Sequence, residues 1–311
     1  MAGLLTAEFA TALMSGSVTA AVPLLYAGLG EQVSEKAGVL NVGIEGMMLA
    51  GAYAGFAVAY GTNAMWAGFV AGGAAGFAVA MLITILCVWL ALNQIVVGIA
   101  LTLGMEGLTS LLHHFAFAHS YPRLPEADHF ALPVLSAVPV LGPSLFDRHP
   151  LVYLALLLCA GLTWVFRGTF LGLDLAAAGE KPSALDAAGV SVVAIRGVAV
   201  LTTGTLAGLG GAYLSEVGAG IFVPFMTNGA GFIGIVLAML ARGRPFLVLG
   251  GALLFGASLS ATTALQVAGI DIPTDVIQML PFAMVMLALV AFGRHASLPA
   301  ALGLPYRRGA R

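Results

Sequence analysis

The stretch GEQVSEKAGVLNVGIEGMMLAGAYAG, residues 30–55, sets three glutamates and a lysine at the mouth of a run that then turns almost wholly apolar. Glu45 stands inside that run, between Ile44 and Gly46. The rest of the chain makes this placement a functional matter. Of 311 residues, 60% are hydrophobic and 8% charged, whereas an average soluble domain is about half apolar and about a quarter charged. So little charge cannot cover a water-facing surface. With 41 glycines in long apolar runs, the composition is that of an all-α, polytopic transmembrane protein. Collagen and disordered classes are excluded by the missing period and by the hydrophobicity. The net charge of -2 gives no argument for nucleic acid. Cys87 and Cys159 lie in apolar runs and read as buried thiols. The start, MAGLLTAEFATALMSG, has neither a basic n-region nor an obvious cleavage site, so no signal peptide is expected.

A helix needs about 20 residues to cross about 30 Å of hydrocarbon. Nine segments can be marked off on that basis: 9–30, 39–60, 64–90, 93–117, 150–167, 196–217, 229–241, 246–267 and 276–293. The seventh is short, and the second begins with polar residues. Basic residues of short loops are retained on the cytoplasmic side. Placing the C-terminal tail 294–311 inside, with Arg294, Arg307, Arg308 and Arg311, also puts Lys36, Arg167, Lys181, Arg196, Arg242 and Arg244 inside, and leaves Arg123 and Arg148 outside. The expectation is a single transmembrane domain over 1–311, N-terminus out and C-terminus in.

Two large segments then lie outside the bilayer. The outer one, 118–149, is a structured external loop whose prolines rule out a continuous helix. The inner one, 168–195, is punctuated by Gly179, Pro182 and Gly189, and its PSALDAAG suits a helix of about two turns with Pro182 near the first position. An internal comparison adds a path. FVAGGAAGFAVAML (69–82) and LVLGGALLFGASLS (247–260) share the spacing of Gly-Gly-Ala and a following Phe. Each follows an Asn- and Gly-bearing segment, LNVGIEGMMLAGAY or TNGAGFIGIVLAML, and the two pairs run in opposite directions in this topology. Inverted repeats with polar, glycine-interrupted segments point to a transport path near the bilayer midplane.

A charged side chain at the membrane centre costs about 2.5 kcal/mol or more unless it faces protein or water. Glu45 either caps the start of a helix or lines a water-filled break together with Asn41. Both hold if the second segment begins as a half-helix inside the protein. Glu106 lies mid-segment, and Asn93 and Gln94 open the fourth segment as path or interfacial residues. Glu216 reads as interfacial, and Asn228 matches Asn41 in the repeat. His113, His114, His119, His129 and His149 show no paired ligand spacing, so no metal site is expected. No Gly-x-x-x-x-Gly-Lys-Ser/Thr exists, so nucleotide hydrolysis is not expected on this chain.

SEKAGVLNVGIEGMMLAGAYAGF, LNQIVVGIALTLGMEGLTSLL and GLDLAAAGEKPSALDAAGVSV together resemble the permease subunits of bacterial ATP-binding-cassette nucleoside importers, which are related to ribose and branched-chain amino acid permeases. The resemblance runs from about residue 20 to 294. It implies that Gly172, Asp174, Gly179, Pro182, Ala184, Ala187, Ala188 and Gly189 belong to a coupling helix that docks on the ATPase. Ala176 and Lys181 stand where the family usually carries Arg and Asn. The implied partners are a second permease, as a heterodimer, an ATPase binding ATP and Mg, and an external binding protein or lipoprotein, all at the bacterial inner membrane. A proton-coupled secondary transporter using Glu45 and Glu106 is the alternative; a membrane enzyme would need a catalytic cluster, and none is evident.

Overall fold

In the computed structural model, residues 7–118, 120–131, 133, 135–267, 279, 283–284, 286–287, 290 and 298–306 are described. Among these residues the chain forms ten α-helices and one small strand pair. Helix α1 is Ala7–Lys36, α2 Ile44–Thr62, α3 Met65–Ile83 and α4 Gln94–Phe117. The strands β1 Phe130–Ala131 and β2 Asp147–Arg148 pair antiparallel within the long loop. There follow α5 Pro150–Gly168, α6 Phe170–Glu180, α7 Pro182–Ala187, α8 Val192–Tyr213, α9 Ala230–Ala241 and α10 Pro245–Val267. Widened π turns extend α3 over Thr84–Trp89 and α8 over Leu214–Ala219.

Among the described residues, six stretches are long and apolar enough to cross a membrane: Glu8–Lys36, Met65–Trp89, Gln94–Phe117, Pro150–Gly168, Val192–Ala219 and Pro245–Gln266. Helix α2 is not one of them, because Glu45 and four glycines dilute it. Helix α9, with 12 residues, is about 18 Å long and too short to span. Most of the ninth expected segment, 276–293, falls outside the described residues, as do Arg294, Arg307, Arg308, Arg311 and His119.

Two boundaries differ from expectation. Helix α1 runs on to Lys36 and carries Glu31, Gln32 and Glu35 into the protein, each at most 5% exposed. It stops where Gly38 turns left-handed at φ +82°, with Gly38 N donating to Glu35 O and Val39 N to Ser34 O. That two-bond closure satisfies carbonyls the helix leaves open. Helix α2 therefore starts at Ile44 rather than near residue 39, after a seven-residue break. The inner segment also holds more helix than expected, since α6 precedes α7. Gly179 had read as punctuation, but it and Gly172 are both contact points: a β-carbon at Gly172 would meet Val165 O, and one at Gly179 would meet Lys36 O.

Glycine also sets the centre of the bundle. A β-carbon added at Gly51 would strike Gly208 O, one at Gly76 would strike Gly204 O, and one at Gly211 would strike Met48 O. Helices α2, α3 and α8 thus touch backbone to backbone, the contact small residues permit between membrane helices. Only 17% and 22% of the apolar stretches of α4 and α5 is buried, against 61% and 56% in α1 and α8. The former pair forms the periphery and the latter pair the core. Helix α5 joins the two ends of the bundle. At the loop end, Arg148 donates to Ser144 O, Thr19 Oγ1 and Ser15 Oγ, pinning the 118–149 segment to α1. At the α6–α7 end, the Arg196 guanidinium donates to Ala37 O, Ala178 O and Leu304 O at 3.1, 3.1 and 2.8 Å.

Candidate functional site

The break at residues 37–43 leaves helix ends inside the protein, where water cannot satisfy them. Gly43 opens α2 with no side-chain cap. Glu45, 3% exposed, does not serve its own helix alone: Gly229 N donates to its Oε1 at 2.8 Å and Gly231 N to its Oε2 at 2.6 Å. These amides begin α9. A helix N-terminus presents about four unpaired N–H groups and a partial positive charge, so a carboxylate across two of them is both neutralised and held. The sequence left open whether Glu45 caps the start of its own helix or lines a path; the structure adds amide partners at the start of another helix, the first of them 184 residues away. Gly231 is required for this approach, since a β-carbon there would lie 2.7 Å from the Glu45 Cα and N.

Asn228, at φ 43°, precedes this junction and lines a cavity of about 330 Å³ between α1, α8, α9 and α10. Its wall is mostly apolar, with Thr227, Asn228 and Thr262 supplying polar groups. On the other side of the break, Asn41 N donates to Glu31 Oε1 at 3.1 Å and Leu40 N to Gln94 Oε1 at 2.8 Å. Asn93 is the N-cap of α4, accepting from Ile95 N and Val96 N. Thus Asn41, Glu45, Asn93, Gln94 and Asn228 all border helix ends. Glu106 stands apart, half-buried and twelve residues beyond Gln94 on α4, a rise of about 18 Å.

Several buried polar groups escaped sequence reasoning. Glu31 and Glu35 are one helical turn apart, and ending the first span at residue 30 hid them. Glu216, read as interfacial, is 1% exposed, and both its oxygens lack a partner among the described residues. It lies where β-carbons on Gly55 and Gly68 would otherwise stand. Among the described residues no three metal-ligating side chains converge. Cys87 and Cys159 are buried and unpaired with each other.

Helix α7 has Pro182 at its first position. It closes with Gly189 at φ +86°, where Gly189 N donates to Asp186 O and Val190 N to Leu185 O. Only Leu185 of this helix is buried, against Ala178 and Val192, while Ala184, Ala187, Ala188 and Gly189 are exposed and Asp174 is half-buried on α6. The result is a short helix on a firm base, with small side chains outward.

The family described as "Branched-chain amino acid transport system / permease component" matches residues 13–289. The "Putative glucose ABC transporter permease protein TsgC13" of Haloferax volcanii is 40% identical over 80% of this chain and 76% of its own. The guanosine ABC transporter permease protein NupQ of Bacillus subtilis is 30% identical over 96% and 97% of the two chains, and the nucleoside ABC transporter permease protein NupC of Lactococcus lactis is 31% identical over 91% and 93%. No solved structure matches. With apolar helices for a bilayer and permease relatives over most of its length, the chain belongs to the permease-component family of branched-chain amino acid transport systems and is a transport component, the membrane subunit of an ATP-binding-cassette importer.

Proposed function

We propose that this subunit moves a nucleoside, or a related sugar-bearing solute such as a hexose, across a bacterial inner membrane, and that α7 is the surface a separate ATPase grips. The observation that carries the coupling is α7 itself: two turns, anchored by Leu185, with Ala184, Ala187 and Ala188 facing outward. ATP and Mg bind on that ATPase, an external binding protein delivers the cargo, and a second permease completes the pair as a heterodimer. The cargo class rests on relatives named for nucleosides and for glucose. Lys36, Arg196 and Arg242 gather at the α6–α7 end, which supports placing that end and the C-terminus in the cytoplasm. Glu45, with both oxygens engaged by α9, makes a poor proton carrier.

Replacing Ala187 by Pro tests the coupling. Proline in a helix interior removes a hydrogen bond and costs about 3 kcal/mol, enough to unwind two turns held by one leucine. Uptake of labelled guanosine by cells carrying the whole importer is expected to vanish while the protein still inserts in the membrane. Normal uptake by this variant would remove the lever from α7.

A further inference from the structure

At the α6–α7 end, the last turn of α1, helix α6, the turn between α9 and α10 and Pro299 border a second, partly open cavity of about 150 Å³. A cavity of that size accommodates a single six-membered ring. Its lining is unlike that of the cavity at Asn228. Gln32, Glu35, Lys36, Glu180 and Arg242 all contribute to it. Gln32 is 1% exposed and both its amide atoms lack a hydrogen-bond partner among the described residues; Glu35 is 5% exposed and its Oε2 also lacks one. Buried amides and carboxylates left unpaired are costly, and two of them bordering one cavity call for a polar occupant. The four charges do not satisfy one another, since none forms an ion pair among the described residues. Lys36 Nζ instead lies 4.9 Å from the centre of the Phe166 ring, and Glu180 Oε2 accepts from Ala300 N at 3.4 Å. Arg242 sits at φ 50°, a backbone state that costs a non-glycine residue about 1 kcal/mol or more and tends to persist where a site uses it.

We propose that this cavity binds one neutral, polyhydroxylated ring of the cargo, through vicinal hydroxyls that donate to Glu35 and exchange hydrogen bonds with the Gln32 amide. Two acids and two bases around one amide cancel in charge, so the site favours an uncharged solute with both donors and acceptors. Volume limits it to one ring, which is either a free sugar or the ribose of a nucleoside. Ala176 and Glu180 of α6 form one wall, so a displacement of the segment that ends in α7 reshapes the cavity. It is therefore the last stop of the solute before release, placed where the ATPase stroke is felt. This rests on the reading of the cargo as sugar-bearing.

The test uses the complete importer, with its ATPase and binding protein, in proteoliposomes, together with equilibrium binding of tritiated guanosine and of tritiated D-glucose to the detergent-purified permease complex without the binding protein. Gln32→Ala and Glu35→Gln are expected to raise the dissociation constant and the KM for uptake by roughly tenfold, the loss of one or two hydrogen bonds. D-ribose and uridine should displace bound guanosine, whereas free guanine should not. Displacement of glucose alone identifies a free sugar as the cargo; displacement of guanosine by ribose identifies the nucleoside. Monodisperse Gln32→Ala and Glu35→Gln complexes that bind and transport as the unmodified one does would overturn the proposal, as would guanine competing as well as guanosine. If the unmodified importer moves neither solute, the cargo reading fails instead, and the cavity is still judged by whether the complex binds D-ribose in a Gln32-dependent way.

Discussion

Replacing Glu45 by Gln isolates the clasp between the two halves of the chain. The side chain keeps its shape, but one of its two oxygens becomes an NH2 group facing an N–H donor, so at least one of the bonds from Gly229 and Gly231, 2.8 and 2.6 Å in the native protein, is lost. A hydrogen bond to a charged group contributes about 1.5–3 kcal/mol, and at 1.36 kcal/mol per decade this is roughly a ten- to 150-fold change in the opening of the α9 N-terminus. The effect is local, so the assay is hydrogen–deuterium exchange of peptides covering residues 225–235 in detergent or nanodiscs. Exchange of the amides at 229–231 should speed up by that factor, with little change in α3 or α8. Glu45→Ala, which strips both partners, should exceed Glu45→Gln. Unchanged protection of these amides in Glu45→Gln would mean that the carboxylate does not hold α9 and that the charge is in the protein for another purpose.

Gly211→Ala forces a methyl into Met48 O between α8 and α2 and is expected to cost about 1–3 kcal/mol, read as a lower melting temperature in fluorescence-detected size exclusion; an unaltered melting point would deny the backbone contact. Arg196→Lys cannot reach the carbonyls of Ala37, Ala178 and Leu304 together. It should loosen the α6–α7 end, seen as faster proteolysis there while the loop end stays protected. His149 offers a pH test. Its Nδ1 accepts from Leu151 N, and burial, aided by His129, lowers its pKa from 6.5 to about 4. The folded state therefore resists a proton that the unfolded chain takes up, so this contribution is complete above pH 6.5 and is lost as the pH falls toward 4. His149→Asn, which keeps a capping side chain, should flatten that part of the stability profile.

Helix α7 was legible because its start and stop are both local: Pro182 at the first position and Gly189 at the left-handed close. The long apolar helices were legible by length. Helix α6 was not, because Gly172 and Gly179 have the same letter as turn glycines but act in packing, which depends on what lies opposite. The extension of α1 was hidden for a related reason: Glu31, Gln32 and Glu35 look like the surface of a membrane protein until the fold encloses them. For Glu45 the sequence narrowed the answer to capping or lining, and only the fold could supply a partner so distant in the chain.

Backbones that touch at Gly51, Gly76, Gly204, Gly208 and Gly211 leave no cushion of flexible side chains over which α2, α3 and α8 could slip or roll. Any stroke that alternates access must then carry these three as one chassis. The parts that travel relative to it are those joined through side chains and short caps: α9 on its Glu45 clasp, and the peripheral α4 and α5.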